Sequence, residues 1–499
     1  MTTVLQRASQ NGHGGPTGTS EGSHEPGARF RLKQQLFGRG PAWPIVWTLA
    51  LFPLWWVLAL ENHIFTIMAI PMIRIMYRWR ATGSRKIRLP PGFGIWCLFL
   101  LIYVLGIATI GLPAPDTIAT SVSNRVLSWT ARGLDYAAVT VFLVYAGNLT
   151  ERELPRRRLA WLLGLVGIYA VAGGIFGLLD PHFAFTSPTA HLLPSSLQSA
   201  LAPTLNPRAS QNMGILGYSE ARVSAPFAYT NTWGNCLAIT LPWLVVAWWN
   251  YAKKPWQRRA VLVVGALALV PMVYSLDRGL WVGIGVGVVY LALRYAARGK
   301  IALLFGLFAT LVLVAVVILA SPLQSLISQR LAHGKSNAGR AQTSSVALQD
   351  GVASPILGFG DTRHQLGSTS SITVGKTANC SRCGNAVIGG DGQLQLLLVS
   401  NGFGGAIFYC GFFAYGLWRY RRDYTPYGLT AGLVFVLGFV FMFVYDAGGP
   451  PLGFTMLAYA LVWKNDRELR HPTVKPEPDE GGSGRDVAWR KPGARALPA

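Results

Sequence analysis

About twelve runs of apolar residues, each near the length that crosses a bilayer, decide what this chain can become. They fall at roughly 42–60, 63–79, 92–112, 130–149, 159–179, 226–250, 260–276, 280–294, 301–320, 392–418, 426–445 and 450–463. With 51% hydrophobic and only 13% charged residues among 499, a soluble domain could not hide so much apolar surface. The expected fold class is all-α, a polytopic membrane protein of about twelve transmembrane helices.

A net charge of +23 raises nucleic acid as a partner, but the placement of the charge argues against it. Lys and Arg gather in short, alternate connectors: Arg78, Arg80, Arg85, Lys86 and Arg88; Arg152 and 156–158; Lys253, Lys254, Arg258 and Arg259; Arg294, Arg298 and Lys300; Arg419, Arg421 and Arg422. That alternation marks the cytoplasmic side and puts both termini inside. Residues 1–41, rich in Gly, Ser, Thr and Pro before turning basic, read as a disordered cytoplasmic tail rather than a cleaved leader. Residues 464–499 read the same way, which leaves 42–463 as the membrane domain. The lipid bilayer is the expected partner and nucleic acid is not.

The remaining connectors lie on the opposite face, and two are long: 180–224 and 321–392. Compact domains rarely keep hydrophilic connections of that length unless they do work. A surface enzyme needs that asymmetry, whereas a simple pore or transporter does not.

Three arginines on this face suit a multiply charged phosphate, because guanidinium stays charged and bonds phosphate oxygens in pairs. Arg278 stands at the sharp Asp-Arg-Gly corner between two apolar runs, where its alternative role is to snorkel to water or pair with Asp277. Arg222 precedes Pro226 and the Thr-Asn pair at 230–231. Arg340 opens an amphipathic stretch that ends at Pro355 and Gly-Phe-Gly at 358–360. Arg363, Asn231 and Gln393 are further polar candidates for binding substrate. Cys380 and Cys383 are either a small disulfide pinning the loop or free thiols. A zinc site there would need Asp361 and His364 as further ligands. The Gly-x-Gly-x-Gly run at 283–287 follows no strand and reads as helix packing rather than nucleotide binding.

Taken in order, four stretches resemble the O-antigen ligase and O-antigen polymerase superfamily of bacterial membrane glycosyltransferases. They are Arg222 through Ala-Pro-Phe-Ala-Tyr-Thr-Asn to Asn231, the Ser-Leu-Asp-Arg-Gly-Leu-Trp at 275–281, Arg340 through Pro355 to Gly360, and Gln-Leu-Gln…Ser-Asn-Gly-Phe-Gly-Gly at 393–405. The resemblance covers most of 42–463 and implies a GT-C-like, metal-independent enzyme of the bacterial plasma membrane that needs no cofactor. Its donor would be a polyprenyl-pyrophosphate-linked glycan, moved to a hydroxyl of an envelope acceptor or growing polysaccharide on the outer face. Arg278 and Arg340 would hold the pyrophosphate with help from Arg222.

Where the family usually carries His-Asn, this chain has Asp391 and Gly392. Since that His is thought to act as the general base, Asp391 is the expected substitute, with His364 or His333 as further candidates. An aspartate there also serves as a helix N-cap. A lipid-linked sugar flippase and a non-catalytic envelope-glycan scaffold stay open as alternatives, because fold likeness does not separate them.

Overall fold

The computed structural model describes residues 40–118, 120–194, 204–213, 220–299, 335–364, 387–390 and 392–471, with isolated positions between 305 and 328. Among the described residues the chain is mostly helical. Helices occupy eleven of the twelve apolar segments, and the other, 301–320, falls largely outside the described residues. They are α1 (Trp43–Ala50), α2 (Phe52–Val57), α3 (Ile64–Ala81), α4 (Phe93–Leu105), α5 (Val122–Asn148) and α6 (Arg156–Leu179). After a short sheet come α7 (Thr230–Val245), α8 (Pro255–Tyr274) and α9 (Arg278–Ala296). A surface helix α10 (Lys335–Ala353) precedes α11 (Gln393–Arg419), α12 (Pro426–Phe441) and α13 (Pro450–Arg470). Four of these, α6, α8, α9 and α11, are long and apolar enough to cross a membrane.

Local chemistry sets the helix ends. Proline sits in the first turn of α8, α12 and α13, where its missing N–H costs nothing. Ser121, Asp277 and Thr425 cap α5, α9 and α12 by accepting from the backbone N–H groups of Asn124, Leu280 and Gly428. Small residues then let the helices close. A Cβ added to Gly164 would lie 2.6 Å from the backbone nitrogen of Leu244, and one on Gly167 would lie 2.8 Å from the Leu241 Cα, so α6 and α7 touch backbone to backbone. Gly283 and Gly287 meet Phe441 and Leu433, so the glycine run of α9 is a packing face for α12, as its sequence suggests.

The connectors sort to two ends of the bundle. At one end the basic connectors are tied together: Arg85 pairs with Glu153 at 2.7 Å, Arg156 bonds Asn465 at 2.7 Å, and Arg294 bonds the Asp423 carbonyl at 2.7 Å. These ties extend α13 past the expected boundary at 463 to Arg470, because Asn465 and Arg467 are gripped by neighbouring helices. At the other end meet the long connectors, and here the mostly helical chain adds one short two-stranded sheet among the described residues. Strands β1 (Ser210–Met213) and β2 (Glu220–Val223) pair antiparallel, with Ser210 opposite Val223 and Gln211 opposite Arg222.

The Gly-Phe-Gly turn at 358–360 docks on α11. The Phe359 and Gly360 amides donate to the Val399 and Ser400 carbonyls at 2.7 and 3.0 Å. Those carbonyls are available because α11 breaks at Gly402, whose φ of 63° and ψ of −171° suit glycine alone. Gln395 ties α10 to the same helix through Ser344 at 2.7 Å. The broken helix is thus the anchor for the large connector, and α10 brings Arg340 to the polar end of the bundle.

Candidate functional site

Two clefts open at this end. The first is a groove of ≈ 690 Å³ between α9 and α12, lined by Val282, Val286, Val436, Phe439, Val440, Phe443 and Val444, with Arg278 and Arg340 at its head. Val282 and Phe443 are each more than half exposed among the described residues, so the groove presents apolar surface outward. Arg278 is the first residue of α9, which adds the partial positive charge of a helix N-terminus to the two guanidinium groups.

Behind the groove head lies Arg222, only 4% exposed, whose Nε donates to the Ser275 carbonyl at 2.7 Å. Burial pulls its guanidinium below the usual arginine range, and Asp277 opposes that shift. Arg340 repels both Arg222 and Arg278, and Asp277 attracts both. Asp277 is itself engaged as the α9 cap and accepts from the hydroxyl of buried Tyr445. Three guanidinium groups thus gather around Asp277 among the described residues, and an anion placed between the arginines would relieve their mutual repulsion.

The second cleft is a polar cavity of ≈ 610 Å³ on the other side of the 443–446 segment. Asn62, Arg132, Asp135, Gln211, Tyr229, Asn231 and Asp446 supply its polar lining. Arg132 is committed to Asp361 at 2.9 Å, and Ser128 bonds the same Asp361 oxygen at 3.0 Å. Asp135 accepts from Thr66 at 3.0 Å. The Asp446 carboxylate accepts from the Gly448 amide at 2.9 Å. Asp446 is exposed to the cavity, yet the protein packed around it still raises its pKa above the usual carboxylate range, against the lowering effect of the Gly448 amide and Arg132.

The arginines and the asparagine expected from sequence are thus divided. Arg278 and Arg340 share the groove, Arg222 sits behind it, and Asn231 faces the polar cavity. Two other candidates are occupied elsewhere. Arg363 is 2% exposed, and its guanidinium donates to the carbonyls of Phe359, Asp361, Thr362, Ile110 and Leu112, so it staples the connector instead of facing a ligand. Burial, and then neighbouring Arg125, pull its pKa down to about 10. Gln393 is buried too, with its Oε1 accepting from the Ala447 amide at 3.1 Å, which fixes the turn that carries Asp446.

His364 forms a bridge with Val387 on the rim of the polar cavity, and its carbonyl accepts from the Ile118 amide at 2.8 Å. Asp361, weighed above as a zinc ligand, is ion-paired with Arg132 instead. Asp391, His333, Cys380 and Cys383 lie outside the described residues. Arg132, Asp135 and Asp446 were not among the candidates read from sequence. Their one sequence signal is ionisable groups within or beside apolar runs. No protein-family model, curated protein or solved structure matches the chain.

Proposed function

We propose that the chain is an O-antigen ligase-like glycosyltransferase of the bacterial plasma membrane. In this reading it has about twelve crossings, with the polar end outward and the basic end in the cytoplasm. It moves a glycan from a polyprenyl pyrophosphate carrier to an acceptor hydroxyl in cell-envelope polysaccharide synthesis. The observation that carries the reading is the pairing of Arg278 and Arg340 with an apolar groove between α9 and α12. A polyprenyl pyrophosphate has the matching form: a long apolar tail for the groove and a multiply charged head for the two guanidinium groups. The same arginines would stabilise the negative charge that builds on pyrophosphate as its bond to the sugar breaks.

The test is deletion of the gene in its host, followed by measurement of undecaprenyl-linked glycan on each membrane face. Accumulation on the outer face, cured by wild type but not by Arg278→Ala or Arg340→Ala, is the expected result. Accumulation confined to the inner face would make the protein a flippase and reject the enzyme reading. No accumulation would leave a glycan-binding scaffold.

A further inference from the structure

We infer that the polar cavity is the acceptor site, that it takes a hydroxyl-bearing saccharide without negative charge, and that the Asp446 carboxylate receives the hydroxyl proton. This rests on the glycosyltransferase reading and adds to it a substrate class and a base. The cavity volume of ≈ 610 Å³ is in the range that encloses a small ligand. Its polar lining combines amides from Asn62, Gln211 and Asn231 with the aromatic ring of Tyr229, groups suited to sugar hydroxyls and sugar faces.

The charge in the cavity sets the acceptor class. Since Arg132 is held by Asp361, Asp135 and Asp446 give the cavity an excess of carboxylate among the described residues. An anionic acceptor would be repelled there, whereas hydroxyl and ammonium groups can donate to these oxygens.

Position then singles out Asp446. Phe443 and Val444 line the donor groove and Asp446 lines the polar cavity, so one short segment is the wall of both. Two residues of chain span at most about 7 Å, so the backbone that carries Asp446 lies within that distance of the groove residue Val444. Tyr445, between them, is fixed by its hydroxyl to Asp277 and by its carbonyl, which accepts from the Gln393 amide at 2.8 Å. In the reaction the acceptor O–H passes its proton to an Asp446 oxygen while the acceptor oxygen bonds the anomeric carbon. The anomeric C–O bond to pyrophosphate breaks, and its electron pair leaves with the polyprenyl pyrophosphate held at Arg278 and Arg340.

The experiment separates donor binding from turnover. The purified full chain in nanodiscs is tested for binding of undecaprenyl pyrophosphate, and host cells report clearance of outer-face lipid-linked glycan. Asp446→Asn is expected to bind the probe within about twofold of wild type and to lose turnover by about 10²–10⁴-fold. Ala131→Trp, which fills the cavity without removing a carboxylate, should show the same split, while Arg278→Ala loses binding. Glucosamine added outside spheroplasts should slow clearance and glucuronate should not; the reverse order would overturn the charge assignment. Turnover of Asp446→Asn within about threefold of wild type, or loss of turnover in Asp391→Asn alone, would overturn the base assignment. Loss of probe binding in both Asp446→Asn and Ala131→Trp would overturn the separation of the two clefts. Wild type that neither binds the probe nor clears glycan would reject the underlying glycosyltransferase reading before any variant is compared.

Discussion

The α9–α12 groove and the polar cavity share the 443–446 wall and differ in almost everything else. The groove is lined by valine and phenylalanine, and among the described residues its charged lining is two arginines. The cavity is lined by amides, tyrosines and carboxylates beside a few aliphatic side chains, and Arg132, the arginine among its described lining, is paired with Asp361. Charge of each sign is thus kept to its own side. Guanidinium holds its charge at every accessible pH, whereas carboxylates take up protons as their surroundings change. The donor side should therefore answer to removal of charge but hardly to pH, and the cavity side should answer to both.

The largest effect expected is on the groove. Hydrogen bonds to charged groups contribute about 1.5–3 kcal/mol each, so Arg278→Ala with Arg340→Ala should weaken undecaprenyl pyrophosphate binding by more than about a hundredfold. The Lys double variant should fall between, because it keeps the charge and loses the paired geometry. A titration in nanodiscs checks this, and a double Ala variant that binds like wild type would remove the basis for calling the groove a donor site.

A smaller loss is expected where the cavity meets the docked connector. Arg132→Ala leaves the buried Asp361 carboxylate held by Ser128 but without its ion pair, at a cost of about 3 kcal/mol. Hydrogen exchange at 359–364 should rise, and the Arg132→Ala, Asp361→Ala double variant should recover part of the stability. If the double variant is as unstable as the single one, the ion pair is not what docks the connector.

These pairs also mark what the sequence could and could not reveal. Apolar runs of bilayer length read directly as helices, and the glycines at 283 and 287 read as a packing face because a small residue every fourth position has few other uses. Arg278 and Arg340 were legible because each interrupts its surroundings: one at a corner between apolar runs, the other at the start of an amphipathic stretch. Arg132 was not, since it falls near the edge of an apolar run and its partner Asp361 is 229 residues away. Asp446 looked like an ordinary turn residue until tertiary packing put it on a cavity wall. Arg363 and Gln393 failed in the opposite way. Sequence shows the donors and acceptors a side chain owns, but whether protein carbonyls and amides consume them is decided by packing. The strands β1 and β2 are four residues each, too short for an alternation to register.

The smallest effect tests whether the cavity side carries titratable groups that the groove side lacks. Glu61, in the connector before α3, is 2% exposed and adjoins the cavity residue Asn62. Burial raises its pKa from 4.5 to about 8. In the unfolded chain it ionises near 4.5, so between these values the folded protein holds a proton that the unfolded chain has released. Its contribution to stability is therefore complete below pH 4.5, declines as pH rises toward 8, and is lost above that. Wild-type Tm should fall across this window, and Glu61→Gln, which is neutral throughout, should flatten the fall by a few degrees. Arg340→Gln should leave the same slope unchanged, because no arginine titrates in that range. A Glu61→Gln profile parallel to wild type would mean that Glu61 is ionised in the folded protein, and the contrast in pH response between the two clefts would have to rest on the cavity carboxylates Asp135 and Asp446.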